Sequence, residues 1–334
     1  MKKLMIYGAA GYTGSMTSEL AHAAGLALVL AGRNAEPLSA LAAQTQAEYR
    51  VFGLDNDAAI DKALSDVSVI LNCAGPYMHT AGPLMHAAIR NGVHYLDIAA
   101  ELDSYQLAEK LDEQAKAAGV MLLPGSGGSV AMLGCLAAHA IERVSEPRKI
   151  SIALHVSGSM SRGSAVSASE NLTTQLLIRS GDQLVTKSST ASGVFDFGAG
   201  PVSCFPVTLP DLITIGMATG VPDIETFVHV SGNAFPKGDL SALPAGPTIE
   251  ERNANRYQAA VQAIGANGLQ VSSVLDTVNG YTFTPMAAAE AARRVLGGEY
   301  RPGFQTPAGL FGKGFAQTIA DTRISDCDYA RVTG

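Results

Sequence analysis

The residues most suggestive of chemistry are three glycines near the start of the chain, in Gly8-Ala9-Ala10-Gly11-Tyr12-Thr13-Gly14. An apolar run, residues 4–7, precedes this segment, and a stretch of helical period follows it. At such a strand-to-helix turn, glycines permit a tight turn and let the backbone approach a pyrophosphate, while free N–H groups at the helix start attract the phosphates. Because the spacing is GxxGxxG rather than GxGxxG, a turn that needs glycine for geometry alone is the alternative. The segment predicts a dinucleotide site formed by Gly8, Ala10, Gly11, Tyr12, Thr13 and Gly14.

The choice of dinucleotide depends on the residue that follows the second apolar run. Sites specific for NAD place an acidic residue there to accept the ribose hydroxyl, whereas this chain has Ala31-Gly32-Arg33-Asn34. The planar guanidinium of Arg33 can pair with a 2′-phosphate, so the cofactor is predicted to be NADP. A solvated Arg33 beside a helix-capping Asn34 is the alternative. Asp55 is predicted either to bind the adenine edge or to cap a helix.

The segments after the fourth and fifth apolar runs carry further polar residues. Ligands of open α/β sheets lie outside the carboxyl ends of the strands, so these segments are expected to surround the nicotinamide. Contacts with the cofactor are predicted for Asn72, Ala74, Gly75 and Pro76. Hydride transfer to a C=O or C=N bond usually needs a nearby proton donor, and the candidates are Tyr77, His79 and Glu101.

Each of these three candidates also has a structural interpretation. Tyr77 either presents its phenol to a cleft between domains or packs beneath the second domain. Glu101 and His79 could transfer a proton or bind a cationic substrate group. The structural alternative for each is a solvated or salt-bridged surface residue.

Other catalytic patterns do not fit the chain. No tyrosine is followed by a lysine four residues later, and Leu310-Phe311-Gly312-Lys313-Gly314 lacks the first glycine and the final Ser or Thr of a Walker loop. The histidines lack metal-ligand spacing, and the four cysteines form no CxxC pair, so no metal site is predicted and the thiols are expected to be reduced.

The elements that must position these residues follow from periodicity. Over residues 1–123, short apolar runs alternate with segments of helical period, which predicts parallel strands joined by helices. The predicted strands are residues 4–7, 27–31, 50–53, 67–72, 94–97 and 120–123. The predicted helices are residues 12–24, 35–46, 57–65, 82–91 and 104–118. This order is typical of an α/β fold with a Rossmann-type doubly wound parallel sheet.

The rest of the chain has a different pattern. After Pro124-Gly125-Ser126-Gly127-Gly128 and a predicted helix at 130–143, alternating segments such as 150–156 and 226–230 predict a second, α+β domain. We therefore expect a dinucleotide-binding domain at 1–145 and a substrate or dimerisation domain at 146–282. Residues 283–334 are expected to return to the first domain, with an amphipathic helix at 285–296 that has Pro285 in its first turn.

Composition restricts the partners. The chain has 334 residues, of which 47% are hydrophobic and 16% charged, so we expect surface to be hidden in a homo-oligomer such as a dimer. The net charge of −7 disfavours nucleic acid as a partner. No apolar run reaches the ~18 residues of a membrane span and no signal peptide is apparent, so the expected location is cytoplasmic.

Several motifs together resemble a known family. The GxxGYTG loop, Ile70-Leu71-Asn72-Cys73-Ala74-Gly75-Pro76-Tyr77, His94-Tyr95-Leu96-Asp97-Ile98-Ala99-Ala100-Glu101 and residues 120–128 occur in the order found in saccharopine dehydrogenase-like NAD(P)-binding oxidoreductases, which include trans-acting enoyl reductases. The resemblance is strong across residues 1–130 and thinner beyond. It implies a Rossmann domain with an inserted α/β substrate domain, a nicotinamide cofactor and frequent dimerisation, but it leaves the substrate open.

Two functional hypotheses follow. The first is an NADP-dependent oxidoreductase acting on a small or medium organic molecule held between the domains. The second is a catalytically silent NADP-binding sensor or regulator, which is favoured by the scarcity of clear acid–base residues.

Overall fold

The computed structural model describes residues 2–170, 175–232 and 239–331. Its first half is built on alternating strands and helices. The strands are β1 (Lys3–Tyr7), β2 (Ala27–Gly32), β3 (Glu48–Val51), β4 (Val69–Asn72), β5 (His94–Asp97) and β6 (Met121–Leu123). The helices are α1 (Tyr12–Ala23), α2 (Ala35–Thr45), α3 (Asp57–Leu64), α4 (Tyr77–Asn91), α5 (Leu102–Lys110), α6 (Asp112–Ala117) and α7 (Gly128–Ile141).

The second half contains longer strands and fewer helices. In chain order they are β7 (Pro147–Ser157), α8 (Arg162–Glu170), β8 (Leu177–Ser180), β9 (Gln183–Thr186), β10 (Gly193–Asp196), β11 (Pro201–Pro206), α9 (Asp211–Thr219), β12 (Asp223–Ser231), α10 (Ile249–Ala254), β13 (Tyr257–Gly265), β14 (Leu269–Thr277), α11 (Gly280–Leu296), β15 (Gly303–Phe304), α12 (Pro307–Phe311) and β16 (Arg323–Arg331). Single 3-10 turns occur at Leu240–Ala242 and Ala316–Thr318.

The first sheet is parallel throughout, with strand order β15-β6-β5-β4-β1-β2-β3. Its central strands are apolar on both faces, and Leu4, Met5 and Ile6 are fully buried, as expected when helices cover both sides of a sheet. The strand order reverses between β1 and β4, where Tyr7 pairs with Asn72. Such a switch point opens a crevice at the carboxyl ends of the strands.

The second sheet is mixed, with strand order β10-β11-β12-β7-β13-β14-β16 and the β8–β9 hairpin beside β12. Only β7 and β12 run parallel among these described pairs. One face packs against α7 and α9, and one hydrophobic core continues through it into the first sheet. The predicted class, a Rossmann-type sheet with a second α+β domain, is confirmed.

Several predicted element bounds are wrong. The helix predicted at 82–91 begins at Tyr77 and runs through Pro83, because the Glu101 carboxylate accepts a 3.0 Å hydrogen bond from Met78 N in the first turn. The helix predicted at 285–296 begins at Gly280, since the side chain of Asn279 caps Tyr281 N at 3.0 Å, and Pro285 therefore lies in the helix interior. In both helices these contacts outweigh the tendency of proline to mark the start of a helix.

Two further differences concern short elements. The single helix predicted at 104–118 is divided at Leu111 into α5 and α6, and Asp112 accepts a 2.7 Å hydrogen bond from Phe304 N. That contact holds the two-residue strand β15, a seventh strand of the first sheet that is too short to show a period. The carboxyl-terminal region thus contributes β15 to the first sheet and β16 to the second. The division of the chain at residues 145 and 282 stays a prediction.

Candidate functional site

A cleft of about 1010 Å³ lies at the switch point of the first sheet, and the second sheet forms its other wall. The first domain contributes the loop between β1 and α1, the end of β2 and the loops after β4 and β5. The second domain contributes residues of β7, α8 and β12, and α11 completes the cleft. The phosphate loop, defined as residues 8–14, therefore opens into the cleft between the two domains.

The backbone of the phosphate loop is fixed by its neighbours. Gly8 N and Ala9 N both donate to Ala31 O, at 2.8 and 3.2 Å, and Gly11 N donates to Gly8 O at 3.0 Å. Gly8 has a φ of +80°, and an added Cβ would lie 2.8 Å from Ala74 N. A Cβ on Gly14 would clash with the Gly8 carbonyl oxygen. These two glycines are therefore required for the fold of the loop itself.

Gly11 differs from the other two glycines. An added Cβ would meet one atom within 4 Å, Gly8 O at 3.2 Å, because the residue borders the cleft. It is also the N-cap of α1 and provides no side chain to cap the first turn. A dinucleotide pyrophosphate fits this cradle, since the backbone is accessible and the N-terminus of a helix favours negative charge. Ala10, Tyr12 and Thr13 line the same end of the cleft, and Gly14 does not.

Arg33 lies at the end of β2 on the rim of the cleft and is exposed. Asp55 does not line the cleft. Its carboxylate lies close to Gly53, because a Cβ added to that glycine would be 2.8 Å from Asp55 Oδ1. Both charges reach the hydroxyl of Tyr7: burial raises the pKa of Tyr7, Arg33 opposes that rise and Asp55 adds to it. The end of the cleft beside β2 thus carries one exposed guanidinium.

The loop after β4 is shaped by Asn72, which is fully buried and does not line the cleft. Its Oδ1 accepts from Ala74 N at 3.0 Å, and its Nδ2 donates to Thr80 Oγ1 at 3.0 Å. Ala74 and Gly75 then line the cleft, while Pro76 is the N-cap of α4 and lies outside the lining. A Cβ on Gly75 would lie 3.0 Å from Ser167 Oγ, so the two domains approach closely here.

Tyr77 is 7% exposed and both packs in a hydrophobic cluster and lines the cleft. Both sequence interpretations of this residue stay predictions. Burial raises the pKa of its phenol well above the usual value, and the nearby Cys73, Asp97 and Glu101 raise it further. Tyr77 is consequently a neutral phenol at any ordinary assay pH, which is the protonation state that a proton donor needs.

The structure separates the two other catalytic candidates. Glu101 is 7% exposed and lines the cleft, where its Oε2 accepts the bond from Met78 N that starts α4. The side chain of His79 is 63% exposed, lies outside the lining and pairs with Glu170 at 3.1 Å. Glu101 and Tyr77 therefore share one wall of the cleft, and His79 faces away from it. The catalytic roles themselves stay predictions.

Asp97 is fully buried and binds the backbone of the loops next to this wall. Its Oδ1 accepts from Ala99 N at 3.0 Å and Gly125 N at 2.7 Å, and its Oδ2 accepts from Tyr95 Oη at 2.8 Å. Burial raises its pKa to about 6 despite these bonds, which act in the opposite direction. Asp97 therefore joins the loops after β5 and β6.

The sequence gives no signal for the contacts that close the cleft over the phosphate loop. Tyr12 Oη accepts a 2.6 Å hydrogen bond from Arg252 Nη1 and donates to the carbonyl oxygen of Pro247. Its ring meets that of Tyr281 edge-on, with centroids 5.7 Å apart, and Tyr281 Oη accepts from Ser161 N at 2.8 Å. These partners lie far away in the chain and show no spacing pattern.

Over the described ranges, no group of three or more His, Cys, Asp or Glu side chains is placed to hold a metal ion. In the same part of the chain, no helix combines the length and apolar character needed to cross a bilayer.

The fold and the cleft define a two-domain protein with a Rossmann-type parallel sheet and a cleft at its switch point. Residues 4–123 match the family model described as the saccharopine dehydrogenase NADP binding domain, and the resemblance seen in the motifs of this region is confirmed.

Curated relatives show the same similarity over a limited region. The saccharopine dehydrogenase-like oxidoreductase of Rattus norvegicus is 30% identical over 145 residues, and that of Homo sapiens is 28% identical over 144 residues. Each match covers 37% of this chain and 34% of the relative, so the similar region is about a third of those proteins. Apo saccharopine dehydrogenase (L-Glu forming) from Saccharomyces cerevisiae has a TM-score of 0.66 at 14% identity, with 98% of this chain and 100% of that chain covered. This last likeness extends to both domains and concerns the fold alone.

Proposed function

We propose that this protein is an NADP-dependent oxidoreductase that transfers a hydride to or from an organic substrate held between its two domains. The observation that carries the proposal is the continuity of the cleft. The phosphate loop, the end of β2, the loops after β4 and β5 and the face of the second sheet all line one space. A dinucleotide bound along the first domain would thus place its reactive end against the second domain.

The preference for NADP rests on Arg33. The position after β2 that bears a carboxylate in NAD-specific sites bears an exposed guanidinium here, at the rim of the cleft. A guanidinium can form charge-assisted, bidentate bonds to a 2′-phosphate, and a carboxylate would repel it. The cradle of the phosphate loop serves either dinucleotide, so Arg33 is the residue that discriminates between them.

The nicotinamide, when bound, supplies or accepts the hydride. Tyr77 holds a proton at its phenol oxygen on the wall of the cleft, and a carbonyl substrate that receives a hydride at carbon would take that proton at oxygen to become an alcohol. Glu101 orients Tyr77 through the hydrogen bond to Met78 N, because that bond fixes the first turn of α4. Tyr77 is proposed as the proton donor and Glu101 as a positioning residue.

A catalytically silent sensor is the second candidate. It is favoured by the burial of Tyr77 and Glu101, since both are 7% exposed and the Glu101 carboxylate is engaged by backbone. In that case the link from Tyr12 to Arg252 would convert cofactor binding into an ordered surface on the second domain. A homodimer is proposed for either function, with the exposed Val194 and Phe205 of the β10–β11 hairpin as apolar surface residues.

Two measurements test the proposed function. Calorimetric titration with NADPH and NADH examines the cofactor, and loss of NADPH absorbance in the presence of carbonyl, imine and enoyl compounds examines the reaction. We expect tighter binding of NADPH and substrate-dependent oxidation. Tight NADPH binding with no oxidation by any of the three compound classes would support the sensor instead.

A further inference from the structure

We infer that the substrate half of the cleft accepts a neutral carbonyl compound with an apolar body, and that it rejects a substrate that buries a carboxylate. This inference rests on the proposed function, in which the phosphate loop and Arg33 hold the cofactor. It concerns the wall contributed by the second domain, for which no substrate class has been assigned.

The centre of that wall is an apolar patch on one face of the second sheet. Leu154 and Val156 of β7 are two residues apart and so point to the same side of the sheet. Val228 of β12 is the register partner of Leu154, which places its side chain next to that of Leu154 on the same face. All three line the cleft, and Leu209 and Met132 extend the apolar lining. Such a surface gains free energy by removing hydrocarbon from water.

The polar groups beside this patch are hydroxyls. Ser164 and Ser167 are one helical turn apart on α8, and both line the cleft together with Ser161 and the tyrosines Tyr257 and Tyr281. Ser161 Oγ donates to Ser164 Oγ at 3.0 Å. Neutral hydroxyls can orient a carbonyl oxygen, but they do not compensate the burial of a full charge.

The charges of the lining are few. Among the described residues that line the cleft, the cations are Arg33 and Arg162, and the acids are Glu101 and Asp103. Arg33 serves the cofactor in the proposed function. Arg162 is exposed, and its Nε donates to Leu243 O at 2.8 Å, so its guanidinium is held towards the loop at that residue. A substrate carboxylate against Leu154 and Val228 would be desolvated beside apolar groups, which is strongly unfavourable.

A matched pair of ligands tests the inference by calorimetry. The neutral ketone 2-nonanone and the keto acid 8-oxononanoate have the same carbon chain and the same ketone, and they differ in a terminal carboxylate. We expect the ketone to bind at least tenfold more tightly, both with and without saturating NADP⁺. Equal affinity, tighter binding of the keto acid or binding of neither ligand would overturn the inference.

A lysine within the patch provides an independent test. Val228→Lys should weaken the binding of 2-nonanone by tenfold or more and should narrow or invert the preference over the keto acid. Val156→Lys, at a half-buried position in the same patch, is the second variant if Val228→Lys does not fold. Val185→Lys on β9, at an exposed position outside the cleft lining, is the matched control and should leave both affinities unchanged.

The cofactor titration separates this inference from the proposed function. If NADPH does not bind to the wild-type protein, the proposed function fails, while the ligand preference is still measured without cofactor. If NADPH binds and the keto acid is preferred, the substrate class is wrong and the proposed function stands. If Val228→Lys and Val156→Lys both fold and both bind 2-nonanone as tightly as the wild type, the apolar patch is not the binding surface.

Discussion

Arg252 Nη1 lies 2.6 Å from Tyr12 Oη and donates a hydrogen bond to it, which joins α10 of the second domain to the phosphate loop of the first. The same hydroxyl donates to the carbonyl oxygen of Pro247, and a Cβ on Gly246 would overlap the Tyr12 ring. Residues 246–252 therefore lie directly against the loop that is proposed to hold the pyrophosphate. Binding of the cofactor and closure of the second domain are expected to be coupled through Tyr12.

The first prediction concerns this link. Tyr12→Phe keeps the ring against Tyr281 but removes both hydrogen bonds, and each is worth about 0.5–1.5 kcal/mol. Together the two bonds are worth about 1–3 kcal/mol, so NADPH affinity measured by calorimetry should fall by about fivefold or more. Tyr49→Phe changes an exposed tyrosine of β3 and is the control. Wild-type NADPH affinity in Tyr12→Phe would mean that the link plays no part in cofactor binding.

The second prediction concerns Gly11. Gly11→Val should abolish NADPH binding while the protein stays folded, because the new side chain would occupy the open side of the loop and meets only Gly8 O at close range. Gly14→Val should instead destabilise the protein, since its Cβ would clash with backbone. Circular dichroism and thermal shifts with and without NADPH distinguish the two. If NADPH stabilises Gly11→Val as much as wild type, the dinucleotide binds elsewhere.

The third prediction concerns the choice of cofactor. Arg33→Ala should lower NADPH affinity tenfold or more, about 1.5–3 kcal/mol for a charge-assisted contact, and should leave NADH affinity nearly unchanged. Arg148→Ala removes an exposed arginine remote from the cleft and is the control. A variant that retains the NADPH preference would exclude Arg33 from this role.

The fourth prediction concerns pH and stability. Asp211 is fully buried in the first turn of α9, and burial raises its pKa to about 7. The folded state binds this proton more tightly than the unfolded state. The contribution of Asp211 to the free energy of unfolding is therefore fully present below about pH 4 and is lost as the pH rises to about 7. Each pKa unit is worth ~1.4 kcal/mol, so a rise from 3.8 to about 7 corresponds to a loss of roughly 4 kcal/mol by pH 7.

The buried Asp97, whose pKa is raised to about 6, adds to the lower part of the same pH window. Asp211→Asn cannot ionise and should remove the loss between pH 6 and pH 7 in particular. Urea unfolding at several pH values measures this. A wild-type protein whose stability rises with pH across the window would contradict the assignment.

The sheet and the phosphate loop could be predicted from the sequence, because both depend on local patterns. The apolar run of β1 and the glycines at positions 8, 11 and 14 lie within about a dozen consecutive residues and can be recognised without knowledge of the rest of the chain. The partners of the site could not be predicted, since they depend on how distant elements pack. Arg252 is 240 positions from Tyr12, and Glu101 is 23 positions from the amide of Met78 that it caps.

The positions of His79 and Asn72 have the same explanation. His79 was a catalytic candidate because it follows a strand end, but the helix that begins at Tyr77 carries it outwards to Glu170. Asn72 was expected at the cofactor, and its amide instead shapes the loop that carries Ala74. A position near a strand end predicts the neighbourhood of a residue and not the direction of its side chain.

The most direct test of the proposed hydride transfer is the rate of NADPH oxidation by wild-type protein and by Tyr77→Phe with a neutral ketone or enoyl compound. We expect substrate-dependent oxidation in the wild type. In the variant, kcat should fall by ~10²–10⁴-fold with NADPH affinity nearly unchanged, because the neutral phenol on the cleft wall supplies the proton. Tight NADPH binding without oxidation by any carbonyl, imine or enoyl compound would contradict the proposed hydride transfer, and a Tyr77→Phe variant with wild-type kcat and KM would contradict the role of Tyr77.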